Sequence, residues 1–431
     1  MLSAFTRAFR TPDLRRKLLF TLAIIALYRV GSFVPSPGVD YQAVEQCVQA
    51  GQSNDFIGLV NLFSGGALLQ LSIFALGIMP YITASIIVQL LRVVIPRFET
   101  LHKEGQAGQA KLTQYTRYLT IGLGILQATT YTTMARTGAL LGCENSVLFN
   151  DGIMNQIIVI TAMTAGTGMI MWLGERITER GIGNGMSLLI FTSIAATLPT
   201  ALWGIAGGSA GLGKFTVVVA IALLVVVLIV FVEQSQRRIQ VQYAKRMVGR
   251  RMYGGSSTYI PIKINMANVI PVIFASSILA VPGLIGQFSG NQNEGWAMWV
   301  TNNLSSPNAP LHLAIYFVLI IFFTFFYTAI TFNPTEVADN MKNYGGFIPG
   351  IRAGRPTAEY LQYVITRITT AGSLYLALVA LIPTLGFIWL EVTANIPFGG
   401  TSILILVGVG LETVKQIDAQ LQQRHYEGLL R

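Results

Sequence analysis

Charge is scarce in this chain: of 431 residues only 11% are Asp, Glu, Lys or Arg, less than half the share of an ordinary soluble domain. With 52% hydrophobic residues, that excludes a water-soluble globule and points to an integral membrane protein. Histidine and cysteine are nearly missing too, at three and two residues. Without clustered His, Cys or carboxylates, a metal site or an intramembrane protease dyad has no residues to use. No glycine-rich phosphate loop is present either, so neither an enzyme nor a bound cofactor is expected. A cleavable leader is not evident, because the basic start "RTPDLRRK" runs into "LLFTLAIIALYRVGSFVP" without a small-residue cleavage site. The first apolar stretch is expected to stay.

Long apolar runs are what the chain has in quantity. Ten stretches suit membrane spans: about 18–33, 72–91, 118–134, 153–173, 186–203, 215–232, 269–288, 311–332, 370–390 and 398–416. Positive charge in short loops collects in the cytoplasm, which tests the count. Alternating sides assigns twenty-six Lys and Arg to one face and only Arg136 and Lys214 to the other, with Arg29 inside the first span. Both chain ends are therefore expected in the cytoplasm, and the net charge of +10 is a property of one face.

The chain also echoes itself. "IMPYITASII" from Ile78 returns as "VIPVIFASSI" from Val269, matching Pro80 with Pro271, Ile82 with Ile273, Ala84 with Ala275, Ser85 with Ser276 and Ile87 with Ile278. The match joins the second span to the seventh, which cross in opposite directions. The expected fold class is thus an all-α polytopic membrane protein of ten transmembrane helices in two pseudo-twofold inverted five-helix halves, 1–213 and 214–431. A path for something lies between them.

Ion-coupled transporters built this way place ionisable groups near the midplane. Here Glu391 and His312 fall at outer span ends and Glu412 near an inner one. Arg29 is the exception, pairing with a carbonyl or reaching the outer headgroups. A secondary transporter of a small solute is kept as the alternative reading.

Two features exceed what spans require. The uncharged run from Phe56 to Leu91 would reach roughly 54 Å as one helix, against a bilayer core of about 30 Å; Gly65 and Gly66 weaken its first half, and Gly77 and Pro80 interrupt its second. The loop 233–263 carries seven cations against one acid, with "RRIQVQY" alternating like a strand and "YGGSS" supplying a turn. This reads as a hairpin standing off the membrane and, with the Gly- and Pro-rich loop 333–367, as a pair of docking platforms for a large anionic partner such as RNA or an acidic protein surface. Cys47 and Cys143 both fall in outer loops of the first half, away from reducing cytosol, and are expected to form a disulfide. Closing about 96 residues, it contributes roughly 4 to 5 kcal/mol on the chain-entropy estimate.

Six segments, "NLFSGGALLQLSIFALGIMPYITAS", "MWLGERITERGIGNGMS", "QRRIQVQYAKRMVGRR", "INMANVIPVIFASSI", "FNPTEVADN" and "FIPGIRAGRPT", resemble in order the signature segments of the SecY family of bacterial protein-conducting channels, and the resemblance covers nearly the whole chain. It implies a clamshell of two halves that exports unfolded, signal-peptide-bearing preproteins and releases apolar segments sideways into the lipid bilayer of the bacterial cytoplasmic (inner) membrane. It implies as partners SecE-like and SecG-like membrane subunits, the SecA ATPase and the ribosome. Carried over residue by residue, the pore ring is Ile78, Ile82, Met186, Ile190, Ile273 and Ile405. The plug, a short re-entrant helix at about 61–71, includes Asn61, Phe63, Ser64, Gly65, Gly66 and Leu68. The lateral gate, between spans two and three and spans seven and eight, includes Ser85, Gln89, Gln127, Ser276 and Ser277. Partner docking falls to Arg237, Arg238, Lys245, Arg246, Arg250, Arg251 and Arg352, the last being the residue most needed for SecA-driven export.

Overall fold

The computed structural model describes residues 9, 11–49, 64–137, 146–207, 211–243, 246–248, 251–253, 257–288, 295–306, 309–389 and 400–429. In the first half the helices are α1 (Pro12–Gly31), α2 (Tyr41–Gln49), α3 (Met79–Val94), α4 (Pro96–Lys103), α5 (Gln106–Arg136), α6 (Ile153–Arg180) and α7 (Gly185–Gly207). In the second they are α8 (Gly211–Gln234), α9 (Ile270–Phe288), α10 (Gly295–Val300), α11 (Pro310–Thr331), α12 (Pro334–Asn343), α13 (Arg355–Trp389) and α14 (Gly400–Leu429). Each of the ten apolar stretches falls on a helix: α1, α3, α5, α6, α7, α8, α9, α11, α13 and α14. Among the described residues, five of the helices are long and apolar enough to cross a bilayer by length and composition, or six with α3 and α4 counted as one pair, bent by 100°. The bend sits at Ile95, whose backbone is extended because Pro96 follows it.

The second span differs from its sequence reading. Residues 72–78 are not helical, and Pro80 does not interrupt a helix but lies in the first turn of α3, where its missing N–H has no partner to lose. The internal repeat shows why. Gly77 has a left-handed φ of 55°, and its counterpart Asn268 has a left-handed φ of 55°. After each comes one residue, then a helix, α3 or α9, with proline at its second position. The echo is therefore a complete start signal for a span: left-handed residue, apolar residue, proline-bearing first turn.

The basic loops fold as β-structure. Strand β1 (Gln236–Tyr243) pairs antiparallel with β4 (Ser257–Lys263), while β2 (Arg246–Val248) and β3 (Arg251–Tyr253) make a separate hairpin. A two-residue strand from the other loop, β5 (Gly346–Phe347), adds to the free edge of β1. The two loops thus share one three-stranded sheet, whose apolar face (Ile239, Val241, Ile262) packs with Met341, Ile348, Leu361, Val364 and Ile365. Sequence reasoning foresaw two platforms; tertiary pairing makes them one.

The largest apolar cluster runs through both halves, from Ile24 and Tyr28 of α1 through Ile86, Ile190, Val225 and Phe274 to Leu404 and Val409 of α14.

Candidate functional site

Four elements contribute aliphatic side chains to the central apolar cluster. Ile78, Ile82, Ile190, Ile273 and Ile405 are all buried in the central cluster, with Met186 half-buried against it. Ile78 and Ile82 share a face at the start of α3, as do Met186 and Ile190 on α7, being four residues apart; Ile273 comes from α9 and Ile405 from α14. The six residues expected to form a ring thus share one apolar cluster. Met186 leans toward α6, where a Cβ added at Gly174 would lie 2.5 Å from its sulfur. A collar of branched aliphatic groups offers neither charge nor hydrogen bond, so a narrow opening lined by it sheds water and yields to a passing chain.

Residues 64–78 lead into α3; Phe74 and Ile78 are buried in the central cluster, while Leu68, Leu71, Ala75 and Leu76 pack in a second cluster beside it. Asn61 and Phe63 lie outside the described residues; Ser64 is helical, and from Gly65 to Gly77 the chain runs in turns. The expected helix does not extend past Ser64 because Gly65, Gly66, Leu71 and Gly77 all have positive φ, which a right-handed helix cannot contain. Ser64, Leu68, Leu71, Phe74 and Ala75 are almost wholly buried, so this part of the segment does not lie flat on a surface. Its backbone is paired to the chain after α1: Ile73 N–H donates to Val34 O (2.9 Å), and Ser36 N–H to Leu71 O (3.0 Å). Small residues make the room. A Cβ on Gly166 of α6 would sit 2.0 Å from Ile73 O, and one on Gly31 would enter the Phe74 ring at 2.1 Å.

The cation within the first span finds its partner here. Arg29 Nη1 donates to the Gly65 carbonyl at 2.6 Å, and its guanidinium lies 4.8 Å from the Phe33 ring centroid. Of the two options the sequence left open, the carbonyl is taken. One residue earlier, Tyr28 OH is 2.7 Å from Ser193 Oγ. Ser193 spends its own proton on Leu189 O, so the tyrosine is the donor.

Of the expected gate residues, Ser85, Gln89, Gln127 and Ser276 are half-buried and Ser277 is buried. They lie on α3, α5 and α9, and α9 packs against both of the others. Gln89 Nε2 donates to Ser85 Oγ at 3.5 Å, while Ser276 and Ser277 each donate to Ile273 O. Hydroxyls satisfied within their own helix leave the seam held mainly by packing.

Arg237 and Arg238 stand exposed on β1, and Arg352 is exposed in a turn between Gly350 and Gly354, both of positive φ. Thr357 Oγ1 donates to the Arg352 carbonyl at 2.8 Å, fixing the turn while leaving the guanidinium in solvent. Arg246 and Arg251 are placed by their backbones on β2 and β3; Lys245 and Arg250 lie outside the described residues.

Sequence reasoning missed a polar knot where the sheet meets the spans. Asn265 Nδ2 donates to Glu233 Oε1 (2.5 Å), and Asn268 Nδ2 to Glu412 Oε2 (2.7 Å). Lys415 Nζ donates to Glu233 O at 3.0 Å. The end of α8 and the middle of α14 are thereby tied to each other and to the chain entering α9. The available signal was the alignment of Asn268 with Gly77, since Asn is the residue that best replaces Gly at positive φ.

Cys47, in α2, is not a free thiol; Cys143 lies outside the described residues.

Comparison with known proteins agrees with this geometry. The SecY family matches residues 72–414. The protein translocase subunit SecY of Streptomyces scabiei is 64% identical over 441 residues, covering 100% of both chains. Among solved structures, a protein-conducting channel superposes with a TM-score of 0.61 at 21% identity, covering 93% of this chain and 91% of that one. Sec61 in the canine ribosome-channel complex from the endoplasmic reticulum gives 0.61 at 20% identity, with the same coverage. With a family model over residues 72–414 and a relative 64% identical over both full chains, the chain belongs to the SecY family.

Proposed function

We propose that this chain is the channel-forming subunit of a protein translocase, moving unfolded preproteins across the membrane and passing apolar segments into lipid between α3 and α5 on one side and α9 and α11 on the other. The observation that carries the reading is the collar: five buried isoleucines contributed by both halves, without a charged residue among them. A substrate of arbitrary sequence needs a wall with no strong site for any side chain, and this is such a wall. The protein is a conduit rather than a catalyst, and energy enters through partners. The three-stranded sheet with Arg237, Arg238 and Arg352 is the platform for the SecA ATPase and the ribosome, and small SecE-like and SecG-like subunits complete the complex. In this reading the chain sits in the bacterial inner membrane with both termini in the cytoplasm, which the excess of Lys and Arg on one face supports. Cys47 and Cys143 form the outer disulfide within the first half, where it does not bridge the gate.

Replacing Ile82, Ile190 and Ile273 together by Ser tests the reading in planar bilayers and proteoliposomes. Resting ion conductance rises while ATP- and SecA-dependent import of a preprotein persists. Conductance equal to that of the parent would remove the collar from its role.

A further inference from the structure

The channel reading gives Arg29 no task, although a guanidinium in the last turn of the first span is costly to keep there. We propose that Arg29 is the latch of the resting channel, a positioning residue whose guanidinium holds residues 64–78 seated over the collar by donating to the Gly65 carbonyl. The proposal rests on the channel reading and adds a residue to it.

Three observations converge on the same peptide. Arg29 Nη1 reaches the carbonyl at 2.6 Å while Phe33 braces the other side of the guanidinium. Gly65 is left-handed, with φ of +69°, and a Cβ there would lie 3.1 Å from the Ser193 backbone and 3.3 Å from Arg29 Nη1. Only glycine lets this peptide meet both α1 and α7. Ser193 is itself fixed by Tyr28, the neighbour of Arg29, and sits three residues from Ile190 of the collar. Latch, seat and collar are therefore one mechanical unit.

The chemistry suits a bond that must be broken in use. A carboxylate opposite Arg29 would form a charge pair that is expensive to separate in a low-dielectric site, and a neutral carbonyl accepts a charge-assisted hydrogen bond without neutralising the cation. The position in the last turn of α1 steadies that cation through the helix dipole whether or not the segment is seated. Departure of the segment thus costs one strong hydrogen bond and leaves the arginine tolerable where it is.

The test uses the assembled translocase in proteoliposomes, with Ser64→Cys as reporter and a membrane-impermeant maleimide added outside. Ser64 is 1% exposed when seated, so the parent labels slowly above the background of the chain lacking the reporter. In Arg29→Met the labelling rate rises about tenfold to a hundredfold, the equilibrium equivalent of one lost charged hydrogen bond, and resting conductance rises with it. Arg29→Lys, which keeps a charge and a donor, recovers most of the seal. Gly65→Ala, with Arg29 intact, exposes Ser64 as well, because the peptide can no longer approach α7. Parent-like labelling and conductance in Arg29→Met overturn the latch. So does equal exposure in the Met and Lys variants accompanied by a lower melting temperature, which would be general loosening. If Arg29→Met does not assemble, Arg29→Gln is measured instead, and a parent-like rate there also overturns it. Import of a preprotein by the parent in the same vesicles reports separately on the channel reading, so the two fail independently.

Discussion

The starts of α3 and α9 are the same device used twice, and their surroundings could hardly differ more. Each has a left-handed residue with φ of 55°, then one apolar residue, then a first turn with proline. Ahead of α3 lies a buried apolar segment, pressed against Gly31 and Gly166 and tied to Arg29. Ahead of α9 lies a basic sheet whose strand β4 is followed by the Asn265 and Asn268 hydrogen bonds. Because the halves are inverted, what precedes the equivalent span is on opposite sides of the membrane. One local code therefore follows a buried apolar segment in one half and a basic sheet in the other, the apolar version where protein surrounds it and the charged version where side chains stand exposed. The handed residue follows the same logic. Glycine suffices at 77, whereas at 268 an asparagine tolerates positive φ and also supplies a side chain to bond Glu412.

The hardest way to break the comparison is to fill the seat. Gly166→Leu pushes a side chain into the Ile73 carbonyl and is expected to destabilise the seated state by about 3 kcal/mol or more, read as raised resting conductance and a lower melting temperature. A parent-like seal would mean that the segment does not need α6. Next comes Asn268→Ala, which loses the bond to Glu412 and puts alanine at positive φ; a loss of about 2 to 3 kcal/mol is expected in thermal unfolding. Sharpening follows from exchanging the two residues. Gly77→Asn keeps a residue that tolerates the backbone and costs about 1 kcal/mol or less, whereas Asn268→Gly keeps the backbone, loses the bond and costs more. Equal costs would deny the side chain of Asn268 any role. Smallest in stability is Arg352→Glu, expected within about 0.5 kcal/mol of the parent because the side chain is exposed, yet lowering SecA-driven import at least about tenfold through lost charge complementarity. A melting temperature that falls together with import would make Arg352 structural instead.

Spans were legible because burial in lipid is a property of composition, and twenty residues of apolar sequence declare it without reference to neighbours. The repeat was legible for a related reason: proline and left-handed residues act within a few positions of themselves. Misreading Pro80 as an interruption came from the same locality, since a proline in a first turn and a proline breaking a helix look alike until the start is known. The union of two loops through β5 was not legible, because two residues, Gly346 and Phe347, carry no strand signal of their own and pair only when β1 offers them an edge.

By itself the sequence determined what belongs in lipid, which face is basic and which aliphatic residues are spaced to share a helix face, since each of these depends on composition or on neighbours within a turn or two. Tertiary structure alone decided that Arg29 meets the carbonyl of Gly65, that Gly166 yields its space to Ile73, that Asn268 reaches Glu412 and that two loops form one sheet. These contacts join positions 36 to 144 residues apart. At such separations no periodicity in the chain records the pairing, and only the packing of helices brings the partners within the length of a hydrogen bond.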